Sequence, residues 1–168
     1  VGRLSKEKRP DLAIDALAAL HRQGCAARLT MVGAGPLLDE LRVRAAGLPV
    51  TFTGHIPERS VVAHLLATAD VAIAPCPYES FGLAVLEALA CGTAVVVADR
   101  GAAGELVTGR AGVRAETNAP AMAAGVQEVL SWSRPDRRRD ARARAEAFSW
   151  ETTVDGLLAQ HDVEVMAP

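Results

Sequence analysis

Short β-branched, apolar runs alternate with amphipathic helical stretches along the whole chain, and this alternation constrains the fold more than any other feature. Strands are expected at Arg28–Val32, Val50–Thr53, Asp70–Ala74, Ala94–Ala98 and Gly112–Arg114, and Val1–Arg3 reads as the end of another. Helices are expected at Pro10–Arg22, Leu37–Ala46, Ser60–Thr68, Leu83–Cys91, Pro120–Trp132, Pro135–Ala147 and Trp150–His161. Pro10 suits the first helical position, and Ser60 is the expected N-cap of its helix. Strand–helix–strand units require crossover connections, so the strands run parallel. Right-handed crossovers then place helices on both faces of one sheet. The expected class is α/β: a doubly wound, Rossmann-like parallel sheet. No internal repeat, low-complexity tract or linker breaks the pattern, so residues 1–168 are expected to form one domain.

In such sheets ligands sit beyond the carboxyl ends of the strands. Three segments fall there: Gly2-Arg3, the turn Gly33–Pro36, and the loop Glu79–Leu83. The turn is only part of a dinucleotide fingerprint. It lacks the third glycine, and no acidic residue ends a strand about twenty residues on, so a nucleotide-dependent oxidoreductase is disfavoured. The third segment is more informative. Glu79 lies in a loop, Gly82 stands where a helix begins, and Glu87 lies inside that helix. A helix N-terminus attracts anions through its free amides, and carboxylates grip hydroxyls. With a rise of about 1.5 Å per residue, Gly82 to Glu87 covers roughly 7.5 Å, about the reach from a diphosphate to its ribose.

Composition closes other routes. The net charge of −2 carries no basic bias, which argues against nucleic acid as a partner. No apolar run is long enough for a membrane-spanning helix, and no signal peptide is visible. Cys25, Cys76 and Cys91 are odd in number and widely spaced, so neither a disulfide framework nor a structural zinc site is expected, and reduced thiols suit a cytoplasm. The run Arg137–Arg144 reads as a solvated helix face rather than a membrane or nucleic-acid contact.

Taken together, Glu79-Ser80-Phe81-Gly82-Leu83 and Glu87-Ala88-Leu89-Ala90-Cys91-Gly92-Thr93 resemble the E-x7-E signature of the large family 4 of retaining glycosyltransferases. Val1-Gly2-Arg3-Leu4 with Lys8, Leu29 to Pro36, Val50 to Ile56, Ala69-Asp70-Val71 and Phe148-Ser149-Trp150 resemble further elements of that family, in family order. The resemblance implies a GT-B enzyme of two Rossmann-like domains, of which this chain matches the C-terminal, donor-binding one. The N-terminal acceptor domain is absent from this sequence. One departure stands out: the family commonly has glycine after the lysine, and here Arg9 takes that place.

The resemblance implies that Arg3 and Lys8 clamp a donor diphosphate and that the amides of Phe81, Gly82 and Leu83 contact it, with Ser80 beside them. Glu87 would accept from the ribose and Glu79 from the transferred sugar. Gly2 and Gly33 would line the pocket, and His55 and Ile56 would flank the base. Glu87, on an otherwise apolar Leu/Ala helix, is expected to be buried or bound. No cofactor and no metal are expected, the nucleotide sugar being a substrate. The overall likeness is to bacterial GDP-mannose-dependent mannosyltransferases, some of which build lipid-linked or phosphatidylinositol mannosides. UDP-glucose or UDP-N-acetylglucosamine donors share every residue named, and a non-catalytic nucleotide- or sugar-binding module is the rival of another class. Expected partners are the donor and, through the missing domain, a sugar or lipid-linked acceptor. The expected location is cytoplasmic, with room for peripheral attachment at the inner face of the membrane.

Overall fold

The fold is organised around Val95–Ala98, a strand buried along its whole length. The computed structural model describes residues 1–160. In chain order the strands are β1 (Leu29–Val32), β2 (Val50–Gly54), β3 (Ala72–Ala74), β4 (Val95–Ala98) and β5 (Gly112–Ala115). The helices are α1 (Pro10–Arg22), α2 (Leu38–Arg44), α3 (Arg59–Thr68), α4 (Leu83–Ala90), α5 (Ala119–Ser131), α6 (Arg134–Glu146) and α7 (Trp150–Gln160). Single 3₁₀ turns cover Lys6–Lys8, Ala102–Leu106 and Gly109–Ala111. Residue 161, the expected end of the last helix, lies outside the described residues.

Every strand pair is parallel. Successive side chains of a strand point to opposite faces, and β4 shows the consequence. Val96 and Ala98 pack with Leu12, Ala16 and Leu20 of α1 and Met122, Val126 and Val129 of α5. Val95 and Val97 pack on the other face with Val85, Ala88 and Leu89 of α4, and with Leu106 and Val107. Helices therefore cover both faces, as a doubly wound sheet requires. A third cluster joins Leu4, Ile14, Met31 and Leu41 around β1 and α2.

The strands form two separate sheets rather than one continuous sheet: β1 with β2, and β3-β4-β5. Val1–Arg3, expected as a strand end, joins neither, although the Gly2 amide donates to the Val32 carbonyl at 2.9 Å. Helix α3 starts at Arg59 with Glu58 as its extended flanking residue, so Ser60 lies inside the helix instead of capping it. True side-chain caps occur at Asn118, which accepts from the Ala121 amide at 2.9 Å, and at Ser133, which accepts from the Asp136 amide at 3.3 Å.

The arginine run departs most from expectation. Helix α6 lies against the C-terminal ends of three other helices, where carbonyls lack intrahelical partners. Arg137 is 5% exposed and donates to the carbonyls of Val129 and Trp132. Arg138 donates to Ala67 O at 2.8 Å and Cys91 O at 3.4 Å, and Arg142 to Ala90 O at 2.6 Å. These side chains cap α3, α4 and α5 and complement their negative dipole ends. Of this run, Arg139 alone fits the solvated reading, pairing with Asp136 and Asp140 of its own helix.

Candidate functional site

Two glycine-bearing turns and two loops converge at the carboxyl ends of the strands. Gly33, with φ of +135°, donates its amide to Gly54 O at 2.8 Å. A Cβ on Gly33 would stand 1.9 Å from Gly2 O, so only glycine allows these backbones to touch. Gly2, Gly33 and the start of the loop carrying His55 and Ile56 are thereby brought side by side. His55 is exposed and Ile56 half-buried. The steric argument gives Gly33 a packing duty that pocket lining does not require.

The loop from Pro75 to Gly82 leaves β3 and turns into α4. Gly82 adopts φ of +96° and ψ of 50°, a left-handed residue at the helix start. Its Cβ direction is filled by protein, with Leu106 Cδ1 at 3.3 Å and Ala103 Cβ at 3.4 Å, so glycine answers the backbone angle. The first bond of α4 runs from the Leu86 amide to Gly82 O at 3.0 Å. The amides of Leu83, Ala84 and Val85 are thus those that a helix start leaves without intrahelical acceptors. Phe81 and Leu83 are exposed beside them, and Ser80 is exposed at the loop tip.

Lys8 and Glu79, 71 residues apart in sequence, meet here. Lys8 Nζ donates to Glu79 Oε2 at 2.7 Å, with Glu79 20% exposed and Lys8 40%. The hydrogen bond to Glu79 raises the Lys8 ammonium above its ordinary value, against partial burial. A second tie runs alongside, where the buried Cys76 thiol donates to Glu7 O at 2.9 Å. Arg3 is exposed on the same side and makes no ion pair or side-chain hydrogen bond among the described residues. Lys8 and Glu79 thus meet at the loop that leads to the free amides of the α4 start.

Glu87 is not buried. It is exposed and unpaired among the described residues.

Sequence reasoning missed the residues that hold the loop. Gly101, with φ of +82°, follows β4 so closely beneath the loop that a Cβ would stand 2.9 Å from Pro77 O and 3.1 Å from Glu79 N. The next amide, of Ala102, donates to Glu79 O at 2.8 Å. From above, Phe148 meets Phe81 edge-on at 6.5 Å between centroids, and Arg144 Cζ lies 4.6 Å from the centre of the Phe148 ring. The run Gly101–Gly104 was the available signal for the first support. Nothing local marks the second.

Among the described residues, no three His, Cys, Asp or Glu side chains come together as metal ligands would, and no helix is long and apolar enough to cross a membrane.

Residues 1–131 match the family model for glycosyl transferases group 1. Over 158 residues the chain is 50% identical to the GDP-mannose-dependent alpha-(1-6)-phosphatidylinositol dimannoside mannosyltransferase of Mycobacterium tuberculosis, covering 94% of this chain and 42% of that protein. It is 37% identical to a glycogen synthase of the same species, covering 92% of this chain and 39% of the relative. The chain thus spans about two-fifths of the length of these curated relatives. Its fold matches the catalytic domain of cholesterol-alpha-glucosyltransferase from Helicobacter pylori with a TM-score of 0.77 at 24% identity, covering 89% of this chain and 96% of that one.

Proposed function

The chain belongs to the glycosyl transferases group 1 family, and from that premise we propose that it is the C-terminal donor-binding half of a GDP-mannose-dependent mannosyltransferase. The observation that carries this reading is the 50% identity, over nearly the whole chain, to an enzyme whose name states that donor. The acceptor site belongs to an N-terminal domain outside this sequence. The acceptor is a hydroxyl of a lipid-linked or phosphatidylinositol mannoside, met by the full-length enzyme at a membrane surface.

On this reading the transfer is retaining and metal-independent. The donor diphosphate sits between Arg3, Lys8 and the amides at the start of α4. Glu87 accepts from the ribose, and His55 and Ile56 flank the base. Glu79 accepts from the mannose hydroxyls, so that Lys8 bridges carboxylate and phosphate. Gly2, Gly33, Ser80, Phe81, Gly82 and Leu83 line this path. The glycosidic bond to the diphosphate breaks as the acceptor oxygen bonds the same face of the anomeric carbon, and the leaving phosphate takes the acceptor proton. Arg3, Lys8 and the helix amides stabilise the charge that grows on the leaving group. Because that charge is largest in the transition state, Arg3→Ala in the enzyme with its acceptor domain lowers kcat by more than it weakens donor binding. Equal losses in both would assign Arg3 to ground-state binding alone.

Calorimetric titration of this chain tests the donor. GDP-mannose, GDP, UDP-glucose and UDP-N-acetylglucosamine are compared without metal and with Mg²⁺, beside Glu87→Ala. Metal-free binding confined to the guanine nucleotides, and lost in the variant, is expected. Preference for uridine nucleotides would overturn the donor and keep the family. Binding with no turnover, once the acceptor domain is supplied, would identify a non-catalytic binding module.

A further inference from the structure

One guanidinium joins the two supports of the donor loop. Arg144, near the end of α6, forks onto the backbone of the 3₁₀ turn Ala102–Leu106. Its Nη2 donates to Glu105 O at 2.6 Å and its Nε to Leu106 O at 3.1 Å. The same group lies over the Phe148 ring, with Cζ 4.6 Å from the centre. Among the described residues Arg144 makes no ion pair, so its charge serves two carbonyls and a ring. A planar fork can donate at its rim while its flat side stacks on an aromatic ring, and a lysine ammonium cannot do both.

Each contact leads onward to the loop. Beneath it, the Ala102 amide donates to Glu79 O at 2.8 Å. Leu106 Cδ1 and Ala103 Cβ fill the space beside Gly82. Above it, the Phe148 ring meets Phe81 edge-on. Glu79, Phe81 and Gly82 are thus held by the turn and the ring that Arg144 ties together. Arg144 itself makes no hydrogen bond to any of the three. Its neighbour Arg142 is different: it donates to Ala90 O, at the opposite end of α4, and pairs with Glu146 of its own helix.

We infer that Arg144 is a positioning residue for donor binding: it locks the turn beneath the loop to the ring above it, and so sets the orientation of Glu79 and of the free amides at the start of α4. The consequence for the donor rests on the function proposed above. The lock itself does not, and the two can be tested apart.

Amide hydrogen exchange tests the lock. The Ala102 amide, bonded to Glu79 O, and the Leu86 amide, bonded to Gly82 O, report the loop. The amides of Val95–Ala98 report the whole fold. In Arg144→Ala the two loop amides are expected to accelerate about tenfold more than those of β4. Arg142→Ala should change both groups in step. Arg144→Lys, which keeps a cation beside the ring without the fork, should give an intermediate effect. Phe148→Leu should release the loop as well, and combining it with Arg144→Ala should fall short of the summed effects, because both act through one lock. If Arg144→Ala does not fold, Arg144→Lys and Phe148→Leu carry the test. Loop and β4 amides that accelerate in step in every variant would overturn the inference. Calorimetry with GDP tests the consequence. Below the unfolding midpoint, GDP should bind Arg144→Ala about tenfold more weakly, in proportion to the lost population of ordered loop, and Arg142→Ala as wild type. A loosened loop with unchanged GDP affinity would overturn the positioning role. If the unsubstituted chain binds neither guanine nor uridine nucleotides, the donor reading falls, and the exchange data alone decide whether Arg144 locks the loop.

Discussion

Arg9 is the one described residue other than glycine with a left-handed backbone, at φ of 50°. That accounts for the departure noted in the sequence. The position after Lys8 ends a 3₁₀ turn and starts α1, and a residue with a Cβ adopts that angle at a cost of about 1–2 kcal/mol. Arg9 offsets part of it through a two-pronged pair with Asp11 at 3.0–3.2 Å. Gly82 carries the same constraint at the site itself. Gly82→Ala is expected to destabilise the fold by about 1–3 kcal/mol in urea unfolding and to abolish nucleotide binding by calorimetry. Gly101→Ala, whose Cβ would strike backbone rather than a side chain, is expected to weaken binding as well, although Gly101 is not proposed to touch the donor. Unchanged affinity in Gly101→Ala would disprove the support role of that residue. For Lys8, the raised pKa fixes the sign of a pH effect. Its contribution is fully present below its ordinary value of 10.5 and is lost as pH rises through the higher folded value. The pair is partly exposed, so the loss should not exceed about 1 kcal/mol. Denaturation of wild type and Lys8→Met from pH 8 upward measures it, and the two curves should converge at high pH.

At the scale of elements, helix α6 is the least conventional. Its arginines act on other helices, closing the carbonyl ends of α3, α4 and α5. Arg137→Ala is expected to cost about 1–3 kcal/mol in thermal or urea unfolding, because it removes a buried side chain and its bonds to the carbonyls of Val129 and Trp132. Arg139→Ala, which breaks only pairs within its own exposed helix, should stay within about 0.5 kcal/mol. Similar losses in both would return the run to the solvated reading. The C-terminal end of α6 also leads to Phe148, which props Phe81, so the capping helix and the donor loop share one support.

Across the whole molecule, stability is distributed unevenly. β4 is buried between two helical layers, whereas β1 and β2 form a two-stranded sheet backed by a smaller cluster. Two strands alone are marginal in water. Native-state hydrogen exchange should therefore show the amides of Val95–Ala98 opening last and those of β1 and β2 opening first. Uniform protection across both sheets would contradict this. The candidate site spans the two parts, since Lys8 leads into α1 and Glu79 follows β3. A bound diphosphate would then slow exchange in β1 and β2 more than in β4.

Much was legible in the residues themselves. Period-two and period-3.6 patterning located nearly every element to within two or three residues, because burial on one side of a strand or helix leaves its trace in local order. The loop Glu79–Leu83 and its helix were readable for the same reason: a left-handed start and a following helix are local facts. Three things were decided only by the tertiary structure. The sheet divides in two, because pairing depends on a neighbour whose presence no local pattern encodes. The arginines of α6 cap distant carbonyls, because a side chain's partner some 40–70 residues away is chosen by packing. Lys8 and Glu79 become one ion pair, because the crossover geometry of a parallel sheet, and nothing in either segment alone, carries two chain-distant loops to the same end of the strands.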